Sequence, residues 1–376
     1  MVQVFVYSRH GASTDSAFLY KGEYEPYHIK QDWSDLEHIT ALGKAQCWAL
    51  GRHLAVYYPD FVTDSIESQS ILFNTINLTK NKICTHFFWY GILDYTPNIG
   101  HFENQIVKKA IKRKGNCHNC TLSSQFPYAK SQMLSEGTEN LEMDSEIMKF
   151  HPREFLDLDD SCKSKKMFLN LTVENLPKKD VQIISRMSPA FRLSNSDASD
   201  FNTFNAIMFL AKHLYHNLPM EYGLQNISPI YVKRALMFRD GLTEGYIKSY
   251  LDVKESSWTI PALYARTLIK DLKNNLLSFE NMLNIYVIHN NNLANLIIFL
   301  LGARNKLRYY ISWFASSVNL LVWKNKTTGE KYIEFRLDEE LVNMRTCESF
   351  CEYEDFISLL EAYEELGGDL KEWCDA

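Results

Sequence analysis

No stretch of this 376-residue chain approaches the apolar length that a membrane-spanning helix needs. The longest apolar run near its end, Leu293 to Leu301, is interrupted by Asn295 and covers about half of the roughly 20 residues required. Excess positive charge is lacking too. With 40 Lys and Arg against 46 Asp and Glu, the net charge of -6 gives no overall field drawing in nucleic acid or anionic lipid, so any basic contact surface has to be local. Cysteine is scarce: eight in a chain this long do not make a disulfide scaffold, and in a reducing cytosol they are expected to be mostly buried thiols. Cys347, Cys351 and Cys374 still crowd together, where a bridge such as Cys351 to Cys374 fits an exported protein and stays open. Met1 to Tyr7 shows no basic leader, apolar segment or small-residue cleavage site, which sets the expectation of a cytoplasmic protein. The sequons at Asn77, Asn119, Asn170, Asn226 and Asn325 are what chance supplies in a chain so rich in Asn, Ser and Thr. Neither an internal repeat nor a heptad is visible.

What is present is apolar and aromatic: 46% hydrophobic residues, with 22 Phe, 21 Tyr and 7 Trp, enough for a large core in one domain or two intimate ones. Gln3 to Ser8 reads as a buried strand that stops at Arg9-His10-Gly11. Thr40 reads as the N-cap of an amphipathic helix through Leu54 that stops near Pro59. Asp64 to Leu78 passes from polar to apolar, and Lys80 to Trp89 leads into a middle with little strand alternation. Helical spacing returns at about 202 to 218 and 260 to 277. Leu283 to Ile288 reads as a second buried strand, ending at His289-Asn290 and followed by a helix closed by Gly302. Ser317 to Trp323 and Lys331 to Leu337 flank a Gly turn as a hairpin, and Phe356 to Leu366 reads as a last helix.

Two strands from opposite ends of the sequence thus each finish with a histidine. Carboxyl ends of neighbouring strands in an α/β sheet converge on one crevice, so His10 and His289 can share a site, with Arg9 beside them. An imidazole pair and a guanidinium suit phosphate: histidine can serve as a nucleophile, and cations stabilise the equatorial oxygens.

At these residues the chain resembles the histidine acid phosphatase family. The resemblance is carried by Tyr7-Ser8-Arg9-His10-Gly11, by Leu42-Gly43-Lys44-Ala45-Gln46 with Leu50-Gly51 and Tyr58-Pro59, and by Ile288-His289 running into an apolar helix and Leu301-Gly302. Phe314-Ala315-Ser316-Ser317, Phe356, Leu359 and Leu370-Lys371-Glu372-Trp373-Cys374 extend it. It implies an α/β fold, a mostly parallel sheet flanked by helices, from residues 1–84 and 255–376, with a mostly helical insertion at 85–254. It also implies that His10 stands where the nucleophile stands, Arg9 at the first phosphate-binding arginine, and His289 at the second histidine.

Other positions depart from the family pattern. Ser13 and Asp15 occupy the places of the second arginine and the proline in Arg-His-Gly-x-Arg-x-Pro. Asp64-Ser65-Ile66-Glu67 is matched to the family's Arg-Ser-Thr-Asp stretch, placing Asp64 at a lost arginine. Asn290 follows the second histidine, where the family has an acid that protonates the leaving group. Loss of a proton donor costs about 10²- to 10⁴-fold, and loss of one preorganised donor about 3 kcal/mol.

The expectation is therefore a catalytically inactive, cytoplasmic, phosphatase-like binding factor. RNA or the ribosome is the preferred partner, with a protein close behind and no membrane, cofactor or metal. Lys108, Lys109, Lys112, Arg113 and Lys114 form the densest basic cluster, and Arg304, Lys306 and Arg308 interleave with tyrosines as a phosphate-backbone surface would. The alternative is an active acid phosphomonoesterase working through a phosphohistidine. In it Arg52, Lys44 or an insertion lysine replaces the lost cations, and Asp64 or Glu67 supplies the acid. Blander readings stand alongside: His10 and His289 as packing histidines, Arg9 paired with Asp64 or Asp15, the basic run as a solvated helix face, and Cys117-His118-x-Cys120 as a loop.

Overall fold

The structure is a computed structural model that describes residues 1–13, 38–76, 78–95, 148–151, 259–301, 314–344, 347–348 and 350–366. Its elements in chain order are β1 (Gln3–Arg9), α1 (Ala41–Tyr57), α2 (Pro59–Glu67), β2 (Ile71–Ile76), α3 (Thr79–Tyr95) and β3 (Met148–His151). They continue with α4 (Thr259–Ser278), β4 (Leu283–Ile288), α5 (Asn290–Leu301), β5 (Ser317–Lys324), β6 (Lys331–Leu337), β7 (Glu340–Leu341), β8 (Phe350–Glu352) and α6 (Tyr353–Leu366).

One eight-stranded sheet runs in the order β3-β2-β4-β1-β5-β6-β7, with β8 also on β6. The expected α/β fold of a sheet flanked by helices is what forms. The sheet is mixed: β3, β2, β4 and β1 are parallel, and β5 turns antiparallel to β1 and begins a meander through β6. Every residue of β1, β2 and β4 is buried, as strands covered on both faces must be.

Alternation along β1 splits the core in two. Val4 and Val6 face α1, α2 and α3 together with Phe73, Ile285, Cys47, Val62 and Phe88. Phe5 and Tyr7 face α4, α5 and α6 with Leu272, Leu296 and Phe356. Tyr7 and Tyr286, in register across β1 and β4, stack at 4.4 Å between ring centroids. Each such side chain contributes about 1.5–3 kcal/mol on leaving water.

The helices over one face are held unusually close. A Cβ on Gly51 would lie 1.8 Å from the Phe88 carbonyl oxygen, and one on Gly91 would lie 1.9 Å from that of Trp48. Only hydrogen fits where α1 crosses α3. A disulfide between Cys47 and Cys84 ties the same two helices across a separation of 37 residues, a loop length worth about 4 kcal/mol on the chain-entropy estimate. Cys351 is bridged to Cys347. The expectation of buried thiols is thereby corrected for all four cysteines among the described residues, because the Cα atoms of each pair stand 5.3 Å apart, within bridging distance. With Cys351 engaged, the Cys351 to Cys374 pairing does not form.

The α/β unit reaches beyond residue 84, since α3 is one continuous helix to Tyr95 and β3 pairs with β2. The remainder of the expected insertion, including the helix at about 202 to 218, lies outside the described residues. No helix among the described residues is long and apolar enough to cross a membrane.

Candidate functional site

β1 delivers Arg9 and His10 to its carboxyl end, and β4, its parallel neighbour, delivers His289 to the same end because Arg9 is in register with Ile288. The two imidazoles meet at 5.8 Å between ring centroids, close enough for both to touch one tetrahedral oxyanion. The Arg9 guanidinium and the His10 imidazole are both withdrawn from water, these residues being 6% and 2% exposed. The Arg9 guanidinium lies 4.2 Å over the Phe314 ring, and that ring also tilts against His10 at 6.1 Å.

The loop after β1 is clamped onto the start of α1. A Cβ on Gly11 would strike the Gly43 carbonyl oxygen at 2.1 Å, and one on Gly43 would strike that of Ala12 at 2.0 Å. Thr40 caps α1 as the sequence predicts: its Oγ1 accepts from the Gly43 N–H at 3.1 Å and donates to the Ala12 carbonyl. The Ala12 N–H donates to Gln46 Oε1, and the Gly11 N–H to the Sγ of the disulfide-bonded Cys47. Ser13 continues the loop as a buried bridge to Ile39.

This clamp fixes the chemistry of His10. Its Nδ1 lies 2.8 Å from the Gly11 carbonyl oxygen, which can only accept, so Nδ1 carries the proton and Nε2 keeps its lone pair. Burial pushes the imidazole pKa well below the ordinary 6.5, helped by the positive charges of Lys80 and Arg9 and by His289. A neutral imidazole with Nε2 bare is the nucleophilic form.

Lys80 joins this group with no motif to mark it in the sequence. It stands in the first turn of α3, the helix that follows β2, and Asn81 beside it pins that turn by donating to the Val287 carbonyl at 3.2 Å. The signal available in the sequence was a lysine shortly after the strand-like run Ile71 to Ile76. The substitutes named beforehand sit elsewhere: Lys44 is buried with its Nζ 5.8 Å from the Phe87 ring centroid, and Arg52 lies over Trp48.

Asp64 needs correction. It lies on the exposed side of α2, and α2 leads to the amino end of β2, where Ser68 hydrogen-bonds the Asp64 carbonyl and Ser70 accepts from Met282 and Leu283. That is the end of the sheet opposite His10, so Asp64 and Glu67 neither repel an anion at the site nor supply an acid there, and Asp64 does not pair with Arg9.

Asn290 opens α5, and the His289 carbonyl accepts from the Leu293 N–H at 3.1 Å as its cap. Three helices therefore begin at this crevice: α1 beside Ala12, α3 at Lys80 and α5 at His289. Their amino ends add partial positive charge to that of Arg9 and Lys80. Such a crevice can hold an oxyanion. No group of three or more potential metal ligands occurs among the described residues. Lys108, Lys109, Lys112, Arg113, Lys114, Arg304, Lys306 and Arg308 lie outside the described residues, as do Asp15 and Cys117 to Cys120.

No protein-family model matches the chain, and no curated protein sequence does. Solved structures match over its length. The phytase from D. castellii is 11% identical with a TM-score of 0.58, covering 100% of this chain and 81% of that one. The multiple inositol polyphosphate phosphatase of Bifidobacterium longum, in complex with inositol hexasulfate, gives a TM-score of 0.60 at 11% identity, covering 99% and 94%. The phytase of Klebsiella sp ASR1 gives 0.52 at 11% identity, covering 98% of each. This likeness establishes the histidine acid phosphatase type of fold.

Proposed function

We propose that the crevice lined by Arg9, His10, Lys80 and His289 binds a phosphate monoester and leaves unactivated esters unhydrolysed. The observation that carries this reading is the meeting of the buried His10 imidazole and the half-buried His289 imidazole with Arg9 and the charge of Lys80 at one end of the sheet, next to a residue that cannot donate a proton as an acid does. A bound dianion offsets the positive charges that crowd His10. Attack by Nε2 on phosphorus would still expel an alkoxide, and without a proton donor that departure is slower by about 10²- to 10⁴-fold. Asn290 is an amide at the position where the resemblance places the acid.

The ligand class follows from the same chemistry. Likeness to phytases and an inositol polyphosphate phosphatase favours a small phosphorylated alcohol over RNA or the ribosome. A second reading, acid phosphomonoesterase through a phosphohistidine, is favoured by Lys80, which restores a cation to the pocket.

One set of measurements separates the two. Calorimetry with inorganic phosphate should show binding that Lys80→Ala weakens by about 10- to 100-fold, as expected for loss of a charge-assisted hydrogen bond. Hydrolysis of an alkyl phosphate at mildly acidic pH should not exceed that of His10→Ala, while Asn290→Asp should raise it by about 10²- to 10⁴-fold. Wild-type turnover that vanishes in His10→Ala would establish the enzyme reading instead. Absence of phosphate binding would discard both.

A further inference from the structure

We propose that Asn325, at the tip of the β5–β6 hairpin, carries an N-linked glycan, and that the chain matures in an oxidising compartment. Asn325-Lys326-Thr327 is an acceptor sequon, with no proline at its middle position. Sequons arise by chance, so the triplet alone decides nothing. Its setting adds to it.

Residues 324 to 330 are all exposed. The Asn325 side chain is held outward in a tight turn, its Oδ1 accepting from the N–H groups of Thr327 at 2.9 Å and Thr328 at 3.3 Å. Both bonds use the oxygen. Nδ2, the atom a glycan takes, has no part in the turn. The backbone is equally settled, with Asn325 N–H donating to the Glu330 carbonyl and Gly329 N–H to that of Asn325, so an added sugar displaces no structural contact.

Position on the sheet removes the other objection. Val322, just before the hairpin tip, pairs with Gln3 at the amino end of β1, whereas His10 lies past its carboxyl end. A bulky glycan at Asn325 therefore projects away from the crevice.

The second, independent observation is the sulfur chemistry. Cys47–Cys84 and Cys347–Cys351 are bridged, and no cysteine among the described residues is free. Each bridge requires two thiols to pass two electrons and two protons to a disulfide-exchanging oxidant, which secretory compartments supply and the cytosol does not. The same compartments hold polyisoprenyl-diphosphate-linked oligosaccharide. In the transfer, Asn325 Nδ2 bonds to the sugar C1, the C1–oxygen bond to the lipid diphosphate breaks, and one amide proton is released as the lipid diphosphate departs. This places the protein outside the cytosol that its sequence suggests.

The test uses the native full-length protein. It is alkylated without reductant, then treated with peptide-N-glycosidase in heavy-oxygen water and mapped by mass spectrometry. The expected result is an oxygen-labelled aspartate at position 325, with Cys47, Cys84, Cys347 and Cys351 unalkylated until reduced. A peptide bearing only unmodified Asn325 overturns the glycan, and full alkylation of the four cysteines before reduction overturns the oxidising compartment.

Discussion

His10 is a base held neutral by its surroundings, and this links the site to stability. Burial first, then Lys80, Arg9 and His289, lower its pKa well below 6.5, so the folded chain takes up this proton less readily than the unfolded chain does. The stability so conferred is fully present above about pH 6.5 and is lost as pH falls toward the folded value. Urea midpoints should thus decline below about pH 6.5 more steeply in the wild type than in a His10→Gln variant, which has no proton to take up. Parallel pH profiles would show that His10 is not held neutral. At this scale the sequence is readable where a residue's position in a strand fixes its surroundings: Arg9, His10 and His289 follow apolar strands directly. Lys80 carried no expectation, and Asp64 was placed at the site, for the opposite reason. Which of them reaches the crevice depends on where β2 lies, and a motif matched without that strand puts an acid of α2 where a lysine of α3 belongs.

Among the elements, α1 and α3 form the tightest contact; they hold Cys47, whose Sγ accepts from the Gly11 N–H, and they set the position of Lys80. Replacing Gly91 by Ala puts a methyl 1.9 Å from the Trp48 carbonyl oxygen, and the Cys47–Cys84 bridge limits how far the helices can part. Denaturant unfolding should show a loss of about 1–3 kcal/mol; an unchanged midpoint would mean the helices part freely. The legibility of these elements follows their burial. α1 has an exposed side and a capping threonine, and β1, β4 and the β5–β6 hairpin are bounded by turn residues, so all were expected close to where they lie. β2, which reads Ile71-Leu72-Phe73-Asn74-Thr75-Ile76, is buried on both faces and shows no alternation. In α3 every residue from Ile83 to Ile92 is buried, and a helix enclosed all round has no polar stripe to announce its period. Both were passed over for that reason.

Across the whole molecule, the crevice opens where the parallel half of the sheet meets the antiparallel half, because β1 borders β4 on one edge and β5 on the other. The fold class was legible from the strand-end histidines and the resemblance they carry. The mixed character of the sheet was not, since pairing partners are far apart in sequence. Val4 pairs with Leu283 on one side and with Leu321 on the other. During biosynthesis β1 must wait, with both hydrogen-bonding edges bare, until the distant β4 and β5 have been translated. Loop closure over such spans is slow, and waiting edges invite chaperones or misassembly. A ribosome-bound chain halted before β5 has emerged should accordingly be cut by protease within β1, while the released protein resists; protection in the halted chain would show that β1 finds other cover.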